Sequence, residues 1–258
     1  MGLEIIVCIK SVVLDAPDGR VVRLPELCAL NPFDRPAIEM ALRLREEHGG
    51  KVTALSMGPE SSALALYEAM AMGVERALLV SDLALAGSDT LATSTALGAA
   101  IKKLAPYDLV LFGARTSDSD TGQVGPQTAV YLGVPIVTGA CAVQYKDSGL
   151  EVERRADEFI ESYELSLPGA LTIHPAAGQP RDTSLMGIES AFEVETFETM
   201  SLDDLGISPE EVGESGSPTK LVSMSRIKKE RKCKFIEGSL EEQADELIRQ
   251  LNKAGHIG

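Results

Sequence analysis

Hydrophobic and polar residues follow two different periods along this chain. In the first 140 residues, near-continuous apolar runs occupy residues 4–9, 51–57, 76–81 and 107–113. Longer segments with apolar residues roughly every three to four positions lie between and after them, at 33–48, 60–72 and 88–104, and in a last segment that ends at residue 132. Short apolar runs are typical of buried parallel strands, and the longer segments of helices that cover them. The pattern predicts an open, mostly parallel α/β sheet with helices on both faces.

The first helix has recognisable start signals. Asn31 is a favoured capping residue, and Pro32 lacks an N–H group that a first helical turn would leave unpaired. We therefore predict that Asn31 caps the helix of residues 33–48.

Residues 134–174 change to an alternation with period two. Strands are predicted at 134–143, 150–154, 159–165 and 170–174, and Asp147-Ser148-Gly149 is a predicted hairpin turn. This region is expected to extend the same sheet with antiparallel strands.

The C-terminal part is more polar. Residues 206–218 are rich in Gly, Pro, Ser and acidic residues, and a basic run covers 226–234. Ser239 and Glu242 form a capping-box pattern at the start of a final helix with one apolar face. We predict an α/β domain at 1–200 and a C-terminal arm at 201–258. The final helix needs a surface, either the parent domain or another chain, and we predict that it docks on a partner subunit.

Composition excludes several classes of protein. The 258 residues carry a formal net charge of −15, which argues against general nucleic-acid binding. No run of about 18 apolar residues predicts a membrane span, and the first residues lack the features of a signal peptide. The four cysteines and three histidines are scattered, so no metal or iron–sulfur site is expected. A cytoplasmic or matrix-like location is predicted.

Residues 113–126 are the most informative stretch for chemistry. They follow a predicted strand and precede a helix, where free backbone N–H groups can bind a phosphate. Gly122 and Gly125 allow close backbone approach, although neither a Walker A nor a G-x-G-x-x-G pattern is present. The alternative is a polar turn with Asp120 as a helix cap; Asp118 and Asp120 as metal ligands are disfavoured. No catalytic constellation is evident, and His174 is expected at the surface or as a cap, which favours a protein that holds a nucleotide.

Seven motifs in order resemble the beta subunit of electron-transfer flavoprotein. They are VCIK (7–10), LNPFD (30–34), SMGP (56–59), AMAMGVERALLVSD (69–82), GSDTLATS (87–94), DSDTGQVGP (118–126) and LPGALTI (167–173). The resemblance covers essentially the whole chain, and it implies that the sheet is a Rossmann-like fold of the type that binds adenine nucleotides.

This resemblance implies a heterodimer with an alpha subunit that carries most of an FAD site. Such a heterodimer passes electrons from flavin dehydrogenases or other reductants to an acceptor such as a quinone reductase, and the beta subunit supplies no acid–base catalyst. It also implies an adenine nucleotide in the beta subunit, AMP in ordinary members or a second FAD in electron-bifurcating members. The nucleotide-binding residues implied by motif are Cys8, Asn31, Pro32, Phe33, Asp34, Met57, Ser119, Asp120, Thr121, Gly122, Gln123, Val124, Gly125, Pro126, Gln127, Thr128, Ala129 and Val130.

The resemblance also implies a docking loop, in which Leu185 is the anchor for a redox partner. Relatives carry lysines after this leucine, whereas Glu189, Glu193 and Glu195 follow it here, so a different partner is expected. The short segment between Lys10 and Asn31 argues against a second FAD, while residues 216–219 resemble the bifurcating group. An alternative from another class is a stand-alone ATP- or AMP-sensing regulator.

Overall fold

The computed structural model describes residues 2–13, 24–146, 149–193, 197–220, 222–223 and 233–257. The chain forms two compact units, Met1–Val222 and Ser223–Gly258. Residues 147–148 of the predicted hairpin turn, and residues 226–232 of the basic run, lie outside the described residues.

The first unit is built on a nine-stranded sheet. Its strands are β1 (Leu3–Cys8), β4 (Gly50–Met57), β5 (Arg76–Val80), β6 (Leu109–Gly113), β7 (Ile136–Lys146), β8 (Gly149–Ala156), β9 (Phe159–Leu165), β10 (Gly169–Ile173) and β11 (Glu198–Met200). Their order across the sheet is β11-β5-β4-β1-β6-β10-β7-β8-β9. Two short strands, β2 (Ser11–Val13) and β3 (Cys28–Leu30), form a separate antiparallel pair.

Helices cover both faces of this sheet. They are α1 (Arg35–His48), α2 (Ala63–Ala71), α3 (Thr90–Lys103), α4 (Val124–Leu132), α5 (Leu185–Glu193), α6 (Leu202–Leu205) and α7 (Gly213–Gly216). Ile38 of α1 and Leu66 of α2 belong to one buried cluster, and Ile101 of α3 and Ala129 of α4 belong to another. Alternate residues of the central strands point into the two clusters. The predicted fold class is confirmed.

The start of the first helix differs from the sequence prediction. The N-cap of α1 is Asp34, and the proline of its first turn is Pro36, so the roles predicted for Asn31 and Pro32 are wrong. Residues 31–34 instead form a turn, in which the Asp34 N–H donates to the Asn31 carbonyl at 2.9 Å. The Asn31 side chain does not cap the helix, and it bonds to Arg115 and Ser117 of a distant loop.

The predicted antiparallel extension is correct for three strands and wrong for the fourth. β7, β8 and β9 pair antiparallel, but β10 inserts between β6 and β7 and runs parallel to both. All five residues of β10 are buried, as expected of a strand covered on both faces.

Residues after 197 continue the first unit. β11 pairs with β5, and Leu202, Leu205 and Val212 lie in the same buried cluster as α3. The arm of residues 201–258 as a partner-binding element stays a prediction.

The second unit contains the helix α8 (Leu240–Lys253), which begins with the predicted capping box between Ser239 and Glu242. In α8 the apolar side chains of Leu240, Leu247 and Ile248 are exposed. No helix within the described ranges combines the length and apolarity needed to cross a membrane.

Candidate functional site

A cavity of about 1250 Å³ lies where the parallel strands end, and we call it the strand-end cavity. Residues that follow four neighbouring strands line it, among them Lys10 after β1, Gly58 after β4, Ser81 after β5 and Arg115 after β6. Open parallel sheets bind their ligands outside the carboxyl ends of the strands. The cavity therefore occupies the position that the strand–helix alternation selects for a ligand.

The N-terminus of α4 faces the strand-end cavity. Gln123 at the N-cap makes no capping hydrogen bond with its side chain, which is instead 3.1 Å from the Thr90 hydroxyl. Gly122 has φ +63°, a conformation that glycine adopts without strain. Within the described chain the first turn of α4 thus keeps backbone N–H groups without a side-chain cap, as an anion site requires.

The alternative role of Asp120 as a helix cap is wrong, because Gln123 is the N-cap of α4. Asp120 has φ +53° and lies 3.3 Å from Nη1 of Arg115.

Gly125 has a packing role. A Cβ at this position would lie 3.0 Å from Cγ2 of Thr172 and 3.1 Å from Cγ of Phe112. The absence of a side chain therefore lets α4 approach β6 and β10 closely, and this approach sets the position of the helix N-terminus.

Each acidic residue of the loop before α4 is paired with a cation. Nζ of Lys10 lies 2.7 Å from the Asp118 carboxylate, and the Arg115 guanidinium stacks over the Phe33 ring with 4.6 Å to its centroid. Burial alone would raise the pKa of Asp118, but the hydrogen bond and charge of Lys10 outweigh it and lower that pKa. These pairings reduce the negative potential that Asp118 and Asp120 would present to a phosphate.

Asp34 lies at the floor of the strand-end cavity beside Cys8. Burial raises the pKa of Asp34 to about 7, although hydrogen bonds from the Lys10 N–H and the Asn31 side chain oppose that rise. Burial, and then the Asp34 charge, raise the pKa of the Cys8 thiol far above its ordinary range. Cys8 is therefore a neutral, protonated group at neutral pH.

Comparisons with known proteins agree with this fold. The family model for the electron transfer flavoprotein domain matches residues 26–200. An electron transfer flavoprotein subunit beta from Thermoanaerobacterium thermosaccharolyticum is 39% identical, over 97% of this chain and 98% of its own length. The FixA protein of Azorhizobium caulinodans is 35% identical, over 97% of this chain and 94% of its own. The chain belongs to the electron-transfer flavoprotein beta-subunit family.

Another relative is part of a reductase complex. A subunit of the caffeyl-CoA reductase–Etf complex of Acetobacterium woodii is 38% identical, over 85% of this chain and 86% of its own. The beta-subunit family thus includes members named for electron transfer and members named for a reductase complex.

About half of the residues that the family resemblance implies line the strand-end cavity. They are Cys8, Asp34, Met57, Ser119, Thr121, Gly122, Gln123, Val124 and Gly125. Pro126, Gln127, Thr128, Ala129 and Val130 continue along α4, where Thr128 and Ala129 are buried and Val130 is 80% exposed. Contact of these residues with a nucleotide stays a prediction.

Sequence reasoning missed a part of the wall that comes from the distant residue Thr219. Thr219 lines the strand-end cavity, and its N–H donates to the Asp89 carboxylate at 2.9 Å. The Ser217 hydroxyl accepts from the Asp89 N–H at 2.7 Å. The polar composition of residues 206–218 contains no signal for this return, because it depends on a pairing across 130 residues.

Leu185 is 86% exposed, and it is the first residue of the helix α5. The helix is held on the first unit by Phe192, whose ring stacks on Tyr67 with 4.7 Å between centroids. Arg181, just before the helix, bonds to Glu39 and Glu46 of α1. The predicted anchor thus projects from a short, supported helix rather than from a loop; Glu195 lies outside the described residues.

Proposed function

We propose that this chain is the beta subunit of a heterodimeric electron-transfer flavoprotein, which passes electrons through FAD between a dehydrogenase and an acceptor such as a quinone reductase. One observation carries the proposal. In this chain, which matches the family model, the N-terminus of α4 lines the strand-end cavity and has no side-chain cap. The alpha subunit contributes most of the FAD site, and the flavin supplies the redox chemistry. This chain acts as a carrier subunit in the cytoplasm and not as an enzyme by itself.

An adenine nucleotide is proposed to occupy the strand-end cavity. Backbone N–H groups at Gly122 to Gly125 would bind its phosphate, because they are unhindered by a side-chain cap and lie at the positive end of a helix dipole. Lys10 and Arg115 offset the charges of Asp118 and Asp120, so these carboxylates repel a phosphate less. The donor set therefore fits a phosphate ester.

A second candidate is an electron-bifurcating complex with FAD, in place of AMP, in the beta subunit. The volume of about 1250 Å³ exceeds the ~300–1,000 Å³ of ordinary small-molecule pockets, which favours a ligand larger than AMP. Relatives named for a caffeyl-CoA reductase complex and for an acryloyl-CoA reductase support the same reading. The stand-alone ATP- or AMP-sensing regulator has less support, since the relatives match the chain along nearly all of its length.

Composition of the purified complex tests these proposals. The chain is co-expressed with an alpha subunit, and the flavin and nucleotide released by denaturation are quantified per heterodimer. One FAD and one AMP indicate the simple carrier, and two FAD indicate the bifurcating complex. Recovery of the chain alone, colourless and with ATP or AMP, would favour the regulator and overturn the proposal.

A further inference from the structure

The side chain of Asn31 is fully buried and contacts a loop that is distant in sequence. Its Nδ2 donates to the Arg115 carbonyl at 2.8 Å, and its Oδ1 accepts from the Ser117 N–H at 3.2 Å. Nδ2 also donates to Oδ1 of Asp34 at 2.9 Å. The two bonds from Nδ2 use both hydrogens of the amide nitrogen, so a nucleotide could recruit this NH₂ group only by breaking one of them.

Asn31 and Asp34 together join three segments of the first unit. The Asn31 N–H donates to the Lys10 carbonyl at 2.9 Å, and the Asp34 carboxylate accepts from the Lys10 N–H at 2.7 Å. The Gly113 N–H also bonds to Asp34, so the ends of β1 and β6 meet at the start of α1. The loop between β6 and α4, residues 114–123, is thus held by groups from outside its own sequence.

This loop needs such support. Asp120 and Gly122 both have left-handed backbone conformations, at φ +53° and +63°. Its local bonds include one from the Asp120 N–H to the Thr116 carbonyl at 2.9 Å. Fixing irregular backbone has an entropic cost, and an unusual conformation at a non-glycine residue adds to it. Bonds from a buried, immobile amide reduce the number of shapes that the loop samples before a ligand arrives.

We propose that Asn31 is a positioning residue, whose side chain holds the loop of residues 114–123 in the shape that presents its backbone N–H groups to a phosphate. For this residue the proposal replaces the direct nucleotide contact that the family resemblance implies. The restraint on the loop follows from the geometry alone, and only the identity of the bound anion rests on the proposed function.

The first experiment measures the loop without a ligand. Hydrogen exchange of the peptide 113–123 is followed by mass spectrometry in the full-length chain, purified in its complex and freed of nucleotide. Asn31→Ala should speed exchange of this peptide by about tenfold, since two bonds to the loop are lost. Asn31→Ser has a side chain too short to reach both the Arg115 carbonyl and the Ser117 N–H, so it should give a similar increase; it carries the test if the alanine variant does not fold.

Leu150→Ala is the control for general destabilisation. Leu150 is buried on β8, the third strand from β6 in the sheet. This variant should lower stability without a selective change in the peptide 113–123. If the peptide 113–123 exchanges in Asn31→Ala at the wild-type rate, the proposed restraint is overturned. An equal increase of this rate in Leu150→Ala would overturn it as well.

The second experiment measures binding of AMP and of FAD by titration calorimetry. Asn31→Ala should lower the affinity for whichever ligand the wild type binds by about tenfold. Leu150→Ala should bind that ligand with the wild-type affinity. Unchanged affinity in an Asn31→Ala protein with a loosened loop would refute the link to phosphate binding. If the wild type binds neither ligand, the proposed function fails, and the exchange experiment still decides the role of Asn31.

Discussion

Asp34 accepts a hydrogen bond of 2.7 Å from the backbone N–H of Lys10, which ties the start of α1 to the end of β1. The same carboxylate is buried, and its pKa is raised to about 7. A structural bond at the floor of the strand-end cavity is thus made by a group that changes charge near neutral pH.

Asp34→Asn is expected to change the pH dependence of stability. Between the unfolded pKa of about 3.9 and the folded value of about 7, the folded state keeps a proton that the unfolded state has lost. This contribution to stability is complete below about pH 4 and is lost as the pH rises through 7. The free energy of unfolding of Asp34→Asn, relative to wild type, should therefore rise from pH 5 to pH 8 by on the order of 1–3 kcal/mol. Urea unfolding at both pH values measures it, and parallel pH curves for the two proteins would refute it.

Gly122→Val should remove bound nucleotide from the complex. A branched side chain at φ +63° strains the loop and places atoms beside the N–H groups proposed to bind phosphate. Gly133→Val is the matched control, because Gly133 has φ +72° at the end of α4 and nothing lies within 4 Å of an added Cβ. Nucleotide released on denaturation is measured by chromatography. Equal nucleotide content in Gly122→Val and Gly133→Val would show that the phosphate binds elsewhere.

Arg181→Met is expected to destabilise the first unit by about 1 kcal/mol, because Arg181 bonds to two carboxylates in a connected network. The hydrogen bonds of Arg181 lower the pKa of Glu39, against the effect of its burial, and also that of Glu46. This stabilisation is present above the unfolded pKa of about 4.3 and is lost as the pH falls through the lower folded values. The difference between the variant and wild type in thermal unfolding should thus shrink at acid pH.

The control for this network is Arg76→Met. Among the residues that the structure describes, Arg76 pairs with Glu198 alone, and both side chains are about half exposed. We expect a smaller loss, below about 0.5 kcal/mol. A loss as large as that of Arg181→Met would show that the network has no special contribution.

Truncation should show that the first unit folds without the second. A chain that ends at Val222 keeps Leu205 and Val212, which are buried, and should unfold cooperatively while it loses its partner subunit in size-exclusion chromatography. A chain that ends at Leu202 lacks both apolar side chains and should be less stable by several kcal/mol. Firm partner binding by the longer truncation would refute the proposed role of α8.

Leu185→Ala should slow electron transfer to the natural redox partner without changing the flavin content. An exposed apolar anchor that enters a pocket mainly affects dissociation, whereas charges at the rim mainly affect encounter. Stopped-flow flavin oxidation at partner concentrations below saturation measures the rate. Phe159→Ala is the control, since Phe159 is 72% exposed on β9; equal slowing in both variants would refute a specific anchor at Leu185.

Glu193→Lys should change how that rate depends on ionic strength. Replacing an acidic side chain by a basic one near the proposed anchor changes the attraction to a charged partner, and salt screens this effect. A rate series from low to high salt distinguishes it from Leu185→Ala, which should slow transfer at every salt concentration. Identical salt dependence in Glu193→Lys and wild type would place the docking surface elsewhere.

Local sequence pattern was enough to predict most elements and the edge of the sheet that carries the strand-end cavity. The apolar runs and the helical period depend on neighbouring residues, and they located β1, β4, β5 and β6 within a few positions of their observed bounds. Because parallel strands present their carboxyl ends at one edge, the loops after them were predictable as the site. The capping box at Ser239 and Glu242 is equally local and was also correct.

The distant residues that complete the candidate site could not be predicted, because long-range packing brings them together. The insertion of β10 between β6 and β7, the return of Thr219 to Asp89, and the bonds of Asn31 to Arg115 and Ser117 all join segments far apart in sequence. Sequence pattern assigned Asn31 to a helix cap, since capping is the local bond available to such a residue. A buried amide instead bonds wherever packing brings partners, and its partners lie 84 and 86 residues away.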